Sequence, residues 1–342
     1  MFLLYGCGDL EFGYYAHLAW GQARVLWSSR PVGDVLDAPS TSPELRIVLV
    51  RVDDIHRFAL ENLGFGEEPE DNYTRYYDTG GQPISWNVSA SLVDAFEPYR
   101  WKFPLVGSLP YKGFFSKERA SEEYERLRER GLDAVLRPVS AYSTLGYFSD
   151  PILSTMARYQ EGQLADLILH ELTHSIIYVE HHTGYNESVA SFVGRAGALE
   201  YLTHRYGEFS QQFTQAEQRR RESDRFREFV RAVTDSLDRL YQFELPRQVV
   251  LRKRRAIFQR AQARFRQRLT EDFPGGHYNG FLNWKVNNAQ LLAYRRYNRS
   301  LGDFEAVYRV KGRRLRDAIP VFVFCSEQDE PFSCIADSGD AD

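Results

Sequence analysis

The stretch LILHELTHSIIYVEHHTGYNESVASF, residues 167–192, constrains this chain more than any other. Its HELTH core separates His170 from His174 by one helical turn. On an α-helix that spacing leaves the two imidazoles about 40° apart in azimuth and about 6 Å apart along the axis, so both reach one ion. Glu171 swings to the side where an open coordination position holds water, and there it can accept the proton of a water acidified by zinc. Leu164, Leu167, Ile168, Leu172 and Ile176 make the helix largely apolar. Two histidines on such a helix need a partner, and zinc supplies one.

The third ligand decides the kind of site. The pattern HExxHxxGxxH would require Gly and His at positions that hold Ile177 and Glu180, so it is excluded. His181 and His182 sit in EHHTG, an expected turn whose short return makes convergence on the same ion awkward. Glu187 is the better candidate. YNESVASF restarts a helix, Asn186 can cap it, and Glu187 in the first turn then faces back toward HELTH. The expectation is a site of His170, His174 and Glu187 holding one Zn2+ per chain, with Glu171 as general base.

Hydrolysis also needs a donor for the developing oxyanion. Tyr142 in AYSTLG leads, because it lies in a polar turn shortly before the metal helix; Tyr111 in PYKGFF and His277 or Tyr278 in GGHYNG are the alternatives.

Around this segment the chain changes character near Asp150. Before it, residues 10–37 predict a helix and turn, 45–52 (LRIVLVRV) and 84–91 (ISWNVSAS) predict strands, and 53–64 predict a short helix ending at Gly64. Residues 103–115 are punctuated by Pro and Gly and predict a structured loop, 116–131 a charged helix between Ser116 and Gly131, and 133–146 a strand running into a turn. After it, long helices are expected over 151–183, 187–206 and 211–271, the last with Pro246 as its one proline, with a final helix over 283–301 and an acidic, frayed tail. The run LRKRRAIFQRAQARFRQRL at 251–269 interleaves its Arg residues with Ile257, Phe258 and Phe265 at helical spacing, which predicts a solvated helix face.

With 342 residues, 43% hydrophobic content and a net charge of −4, the chain can bury a sizeable core and gives no electrostatic reason to bind nucleic acid. Small or peptidic substrates fit better. No apolar run approaches the roughly 18 residues of a membrane-spanning helix. The opening MFLLYGCGDL nonetheless looks like the end of a lipoprotein signal with Cys7 as the lipid-bearing residue, although six residues precede it and none is basic. A start upstream of the one written predicts a periplasmic protein anchored at Cys7; the sequence taken as complete predicts a cytoplasmic one. Cys325 and Cys334 are then either free thiols or, in an oxidising compartment, a bridge.

HELTH with NESVASFVG, AYSTLGYFSDP at 141–151, FPLVGSLPYKGFF at 103–115 and NWKVNNAQLLAYRRY at 283–297 together resemble a bacterial family of predicted aminopeptidases of the gluzincin type. The resemblance spans roughly residues 1–310. It implies zinc, a hydrolytic mechanism and a lipoprotein-like N-terminus, with His170, His174 and Glu187 as ligands and Glu171 as base. At the position where other gluzincins often carry an Asp that orients a ligand histidine, this chain has Ser191, and it lacks a Gly-x-Met-Glu-Asn motif for the substrate's free ammonium.

The expected architecture is α+β and zincin-like: a mixed α/β lobe over 1–150, a helical zinc-binding catalytic lobe over 151–325, and an acidic flexible tail over 326–342. The expected function is that of a zinc-dependent peptide hydrolase, an aminopeptidase by resemblance. The alternatives are an envelope binding or scaffold protein with a structural zinc, and a zinc hydrolase of a non-peptide amide.

Overall fold

The structure is a computed structural model, and it describes residues 8–66, 72–103, 107–139, 150–296, 298 and 300–340, with the backbone alone for 8–12. Cys7 and Tyr142 lie outside the described residues. Among these residues the fold is α+β, with small sheets in the first half and helices dominating the second.

The chain opens with helix α1 (Gly8–Ser28), then strand β1 (Arg30–Pro31) and the short α2 (Val32–Asp37). Residues 45–52, expected as a strand, instead belong to helix α3 (Pro43–Phe58). The Ser42 hydroxyl accepts a hydrogen bond from the Leu45 N–H at 3.2 Å, and Pro43 occupies the first turn, where its missing N–H costs nothing. Val48, Val52, Ile55 and Ala59 are buried at helical intervals. Its β-branched composition suggests a strand, but the spacing of its buried positions is that of a helix.

Strands β2 (Arg75–Tyr77) and β3 (Ser85–Ser91) follow. The segment 103–115, expected as a loop, carries the last residue of β4 (Trp101–Phe103) and the whole of two more short strands, β5 (Gly107–Leu109) and β6 (Lys112–Phe114). Helix α4 (Lys117–Glu129) runs from the Ser116 cap to Gly131 at φ 75°, as its sequence predicts. Strand β7 (Asp133–Val139) covers the first half of the strand expected over 133–146, and β8 (Ile152–Leu153) leads into the helical half. β3 is the centre of an antiparallel sheet, paired with β6 and, along its whole length, with β7, so that Val88 faces Leu136. A second sheet orders β1, β2 and β8, with β2 and β8 parallel and Tyr76 opposite Ile152. That parallel pair carries Asp150 back to the neighbourhood of Tyr73.

The helical half comprises α5 (Glu161–Ile176), α6 (Thr183–Tyr206), α7 (Gln211–Tyr241), α8 (Arg247–Asp272), α9 (Asn288–Arg296), α10 (Leu301–Val310), α11 (Leu315–Ser326) and α12 (Pro331–Gly339). The turn at Pro246 separates α7 from α8, and α8 buries Phe258, Ala261 and Phe265 while its Arg side chains face outward, except Arg254, which turns in to pair with Asp133. The expected helix over 283–301 is shorter, α9. Where acidic composition suggests a frayed tail, the chain forms α12, with Ile335 buried and a Cys325–Cys334 disulfide tying it to α11. A short acidic helix has little intrinsic stability, and here packing and the covalent link supply it.

One hydrophobic core draws Val48, Val52 and Ile55 from α3 together with Ile168, Leu172, Val189 and Phe322 from the helical half. A second, aromatic core gathers Phe226, Phe265 and Phe281. Helices α5 and α6 pack closely because α6 has Gly194 and Gly197 at the contact: a Cβ on Gly197 would come within 2.7 Å of the Leu169 side chain. That tight seam holds the two halves of the site described next.

Candidate metal centre

Helix α5 ends just past HELTH, because Ile177 is extended (φ −132°, ψ 106°) and turns the chain away. The return is fixed by Asn186, whose side-chain amide donates to the Val179 carbonyl and accepts from the Val179 N–H, both at 2.9 Å. Asn186 therefore does not cap α6, as expected from sequence, since that helix begins earlier, at Thr183. It clips the 177–182 connection instead, and in doing so sets the first turn of α6 against α5.

Glu187, which the earlier start of α6 puts in the helix's second turn rather than its first, faces the two histidines. Its Oε2 lies 3.6 Å from His170 Nε2 and 3.9 Å from His174 Nε2. One donor atom from each of the three residues fits within 4.8 Å of the others, a spacing that lets them hold a single metal ion. The imidazole rings meet edge to face at 5.0 Å. Side-chain exposures of 16% for His170, 7% for His174 and 13% for Glu187 make the cluster mostly dry but reachable. His181 and His182 are exposed, and His181 pairs with Glu180 at 3.3 Å, so neither joins the cluster.

Electrostatics prepares His174 and Glu187 for a cation. Burial, reinforced by the His170 charge and opposed by Glu187, pulls His174 down to about 4, so its ring is neutral and has a lone pair to give. Burial alone would raise the Glu187 carboxyl, but contact with His170 and the charges of His174, His170 and Arg296 outweigh it and hold Glu187 below the usual carboxylate range. His170 shows the reverse balance: burial favours its neutral form, yet Glu187, Glu171 and Asp166 together raise it. Two imidazoles and an ionised carboxylate are a donor set that suits a divalent transition metal. His174 Nδ1 is buried with no hydrogen-bond partner among the described residues.

Glu171 stands beside the cluster, and burial, with help from Glu187 and Asp150 and against His170, pushes it up to about 7. Its surroundings were not legible in the sequence. Tyr73 adopts a left-handed backbone (φ 63°), uncommon for a bulky side chain, and its N–H donates to the Asp150 carbonyl at 2.8 Å while the Asp150 N–H donates to Asn72 Oδ1 at 2.9 Å. The Tyr73 phenol is raised well above its ordinary value by burial and by the charges of Glu171 and Asp150. Conformational strain of this kind collects near functional sites.

Of the tyrosines weighed as oxyanion donors, Tyr111 belongs to this neighbourhood: burial and the Glu187 charge push it up to about 12 against the pull of Arg296. The Arg296 guanidinium lies 5.0 Å over the Tyr111 ring and donates to the Pro110 carbonyl at 3.4 Å. Tyr278 does not reach the site; it stacks on Phe226 at 4.3 Å in the second core. Tyr142 lies outside the described residues. Arg296 and Asp166 are additions that motif spacing could not supply. Arg296 comes from α9, and Asp166 lies one turn before His170, where its charge acts on that ring.

Residues 13–321 match the model of a protein family described as putative aminopeptidase. No curated protein and no solved structure matches the chain.

Proposed function

The chain belongs to the putative aminopeptidase family, and from that premise we propose that it is a zinc-dependent peptide hydrolase. The observation that carries this reading is the convergence of His170, His174 and Glu187 within 4.8 Å, with Glu171 half-buried beside them. His170, His174 and Glu187 would hold the ion, a gluzincin-type ligand set. Zinc in that position supplies Lewis acidity toward the scissile carbonyl and toward water.

The remaining work falls to the chain's own residues. Glu171 takes a proton from the attacking water and later delivers it to the departing amine; a carboxyl pushed up to about 7 is suited to both directions near neutral pH. Tyr111 donates its phenolic hydrogen to the oxygen that gains charge, and Arg296, packed over its ring, keeps the phenol oriented. A site this enclosed excludes bulk water and strengthens each of these interactions. A structural zinc would have no use for Glu171 beside it, which favours turnover over a scaffold role. The substrate class is peptides with a free N-terminus, as the family description suggests.

The bridged pair Cys325–Cys334 supports an exported protein, since such bonds persist in oxidising compartments. A lipid anchor at Cys7 belongs to the same reading, and no helix among the described residues is long and apolar enough to cross a membrane.

The experiment is metal analysis of the purified chain together with a panel of fluorogenic aminoacyl and internally quenched peptide substrates. The reading predicts about one zinc per chain and chelator-sensitive cleavage of aminoacyl substrates. Metal-bearing protein that cleaves none of the panel would leave the hydrolase reading without support.

A further inference from the structure

On the side of α5 that carries Asp166, its first turns meet α6 and α7 around a cavity of about 150 Å³. Arg195, Arg219 and Arg220 line it, together with Asp166, Gln163 and Ser223. Two guanidinium nitrogens here, Arg195 Nη1 and Arg220 Nε, are buried with no hydrogen-bond partner among the described residues. Each guanidinium is held elsewhere on its fork: Arg195 Nη2 donates to Asn298 Oδ1 at 3.0 Å, and Arg220 Nη1 approaches Glu305 at 4.0 Å. Both nitrogens lack an acceptor among the described residues.

The charge balance of the wall says what that acceptor is. Glu161 also lines the cavity, but its carboxylate is already engaged by Arg51 at 3.2 Å and by the hydroxyls of Tyr201 and Tyr206. Asp166 is left to face Arg195 and Arg219, and Arg220 adds a third positive charge. The N-terminal end of α5, from Gln160 to Gln163, opens onto the same space and contributes the positive end of the helix dipole. Buried donors without acceptors and an excess of positive charge are the features of a site for an anion. We propose that this cavity binds a small tetrahedral oxyanion of the size of inorganic phosphate, held by Arg195 Nη1 and Arg220 Nε.

The test is isothermal titration calorimetry of the zinc-loaded full chain with inorganic phosphate. One saturable phosphate per chain is expected. Arg220→Gln and Arg195→Gln should each weaken it by about tenfold or more, the effect of losing a charge-assisted hydrogen bond, while thermal melting and zinc content match the parent. Phosphate can also ligate zinc directly, so the titration is repeated on Glu187→Ala protein stripped of metal, where binding is expected to persist. Absence of saturable binding, or binding that vanishes with the metal and is unchanged in both arginine variants, overturns the proposal.

Discussion

Gly194 on α6 lies so close to Asp166 on α5 that a Cβ at position 194 would come within 2.6 Å of both the Asp166 carbonyl oxygen and its Oδ1, and within 3.2 Å of His170 Cβ. The two helices that carry the candidate metal ligands thus touch backbone to backbone at the level of His170. Gly194→Ala should force them apart, lowering stability by about 1–3 kcal/mol, the usual cost of overpacking, and weakening metal affinity because His170 and Glu187 are on opposite sides of the seam. Urea denaturation and a zinc titration check this. Unchanged values for both would mean that the seam has no part in setting the site.

The ligand assignment has its own signature. Glu187→Ala leaves two imidazoles and should lose zinc occupancy, with activity partly restored by excess zinc, whereas His181→Ala and His182→Ala should keep full occupancy because both side chains are exposed. Metal analysis after exhaustive dialysis distinguishes the sets. Zinc lost from a histidine variant and kept in Glu187→Ala would move the third ligand to EHHTG.

How much of this was legible without coordinates follows from which interactions are local. HELTH and Glu187 could be read because helical periodicity and a short connection nearly fix their relative position. The α3 strand reading failed because Val, Ile and Leu composition obscured helical spacing that shows plainly once Val48, Val52 and Ile55 are seen buried. β4, β5 and β6 were hidden because three-residue strands owe their existence to partners rather than to their own pattern. Arg296 and Asp150 join the site through tertiary packing, and Tyr73 through a backbone conformation that no composition rule predicts.

Tyr111 provides a test of the oxyanion role. Tyr111→Phe removes one hydrogen-bond donor and keeps the ring under Arg296, so kcat should fall by about a hundredfold while zinc content and melting temperature stay at parental values. A variant with parental kcat would remove Tyr111 from the chemistry and leave it a packing residue.

The covalent link between α11 and α12 should contribute to stability. Reduction, or Cys334→Ser, is expected to cost about 2–3 kcal/mol, the scale for a bridge closing a short loop, and to loosen the packing of Ile335. Thermal melting with and without reductant reads this directly. Complete thiol labelling of both cysteines in the non-reduced, denatured protein would show that no bridge forms.

The most direct measurement is turnover of Glu171→Gln alongside its zinc content. Because Glu171 stands beside the candidate ligand cluster and is proposed to handle protons rather than to hold the ion, the variant should retain about one zinc per chain while kcat falls by at least about a hundredfold. Parental turnover in a zinc-loaded Glu171→Gln protein would contradict the account.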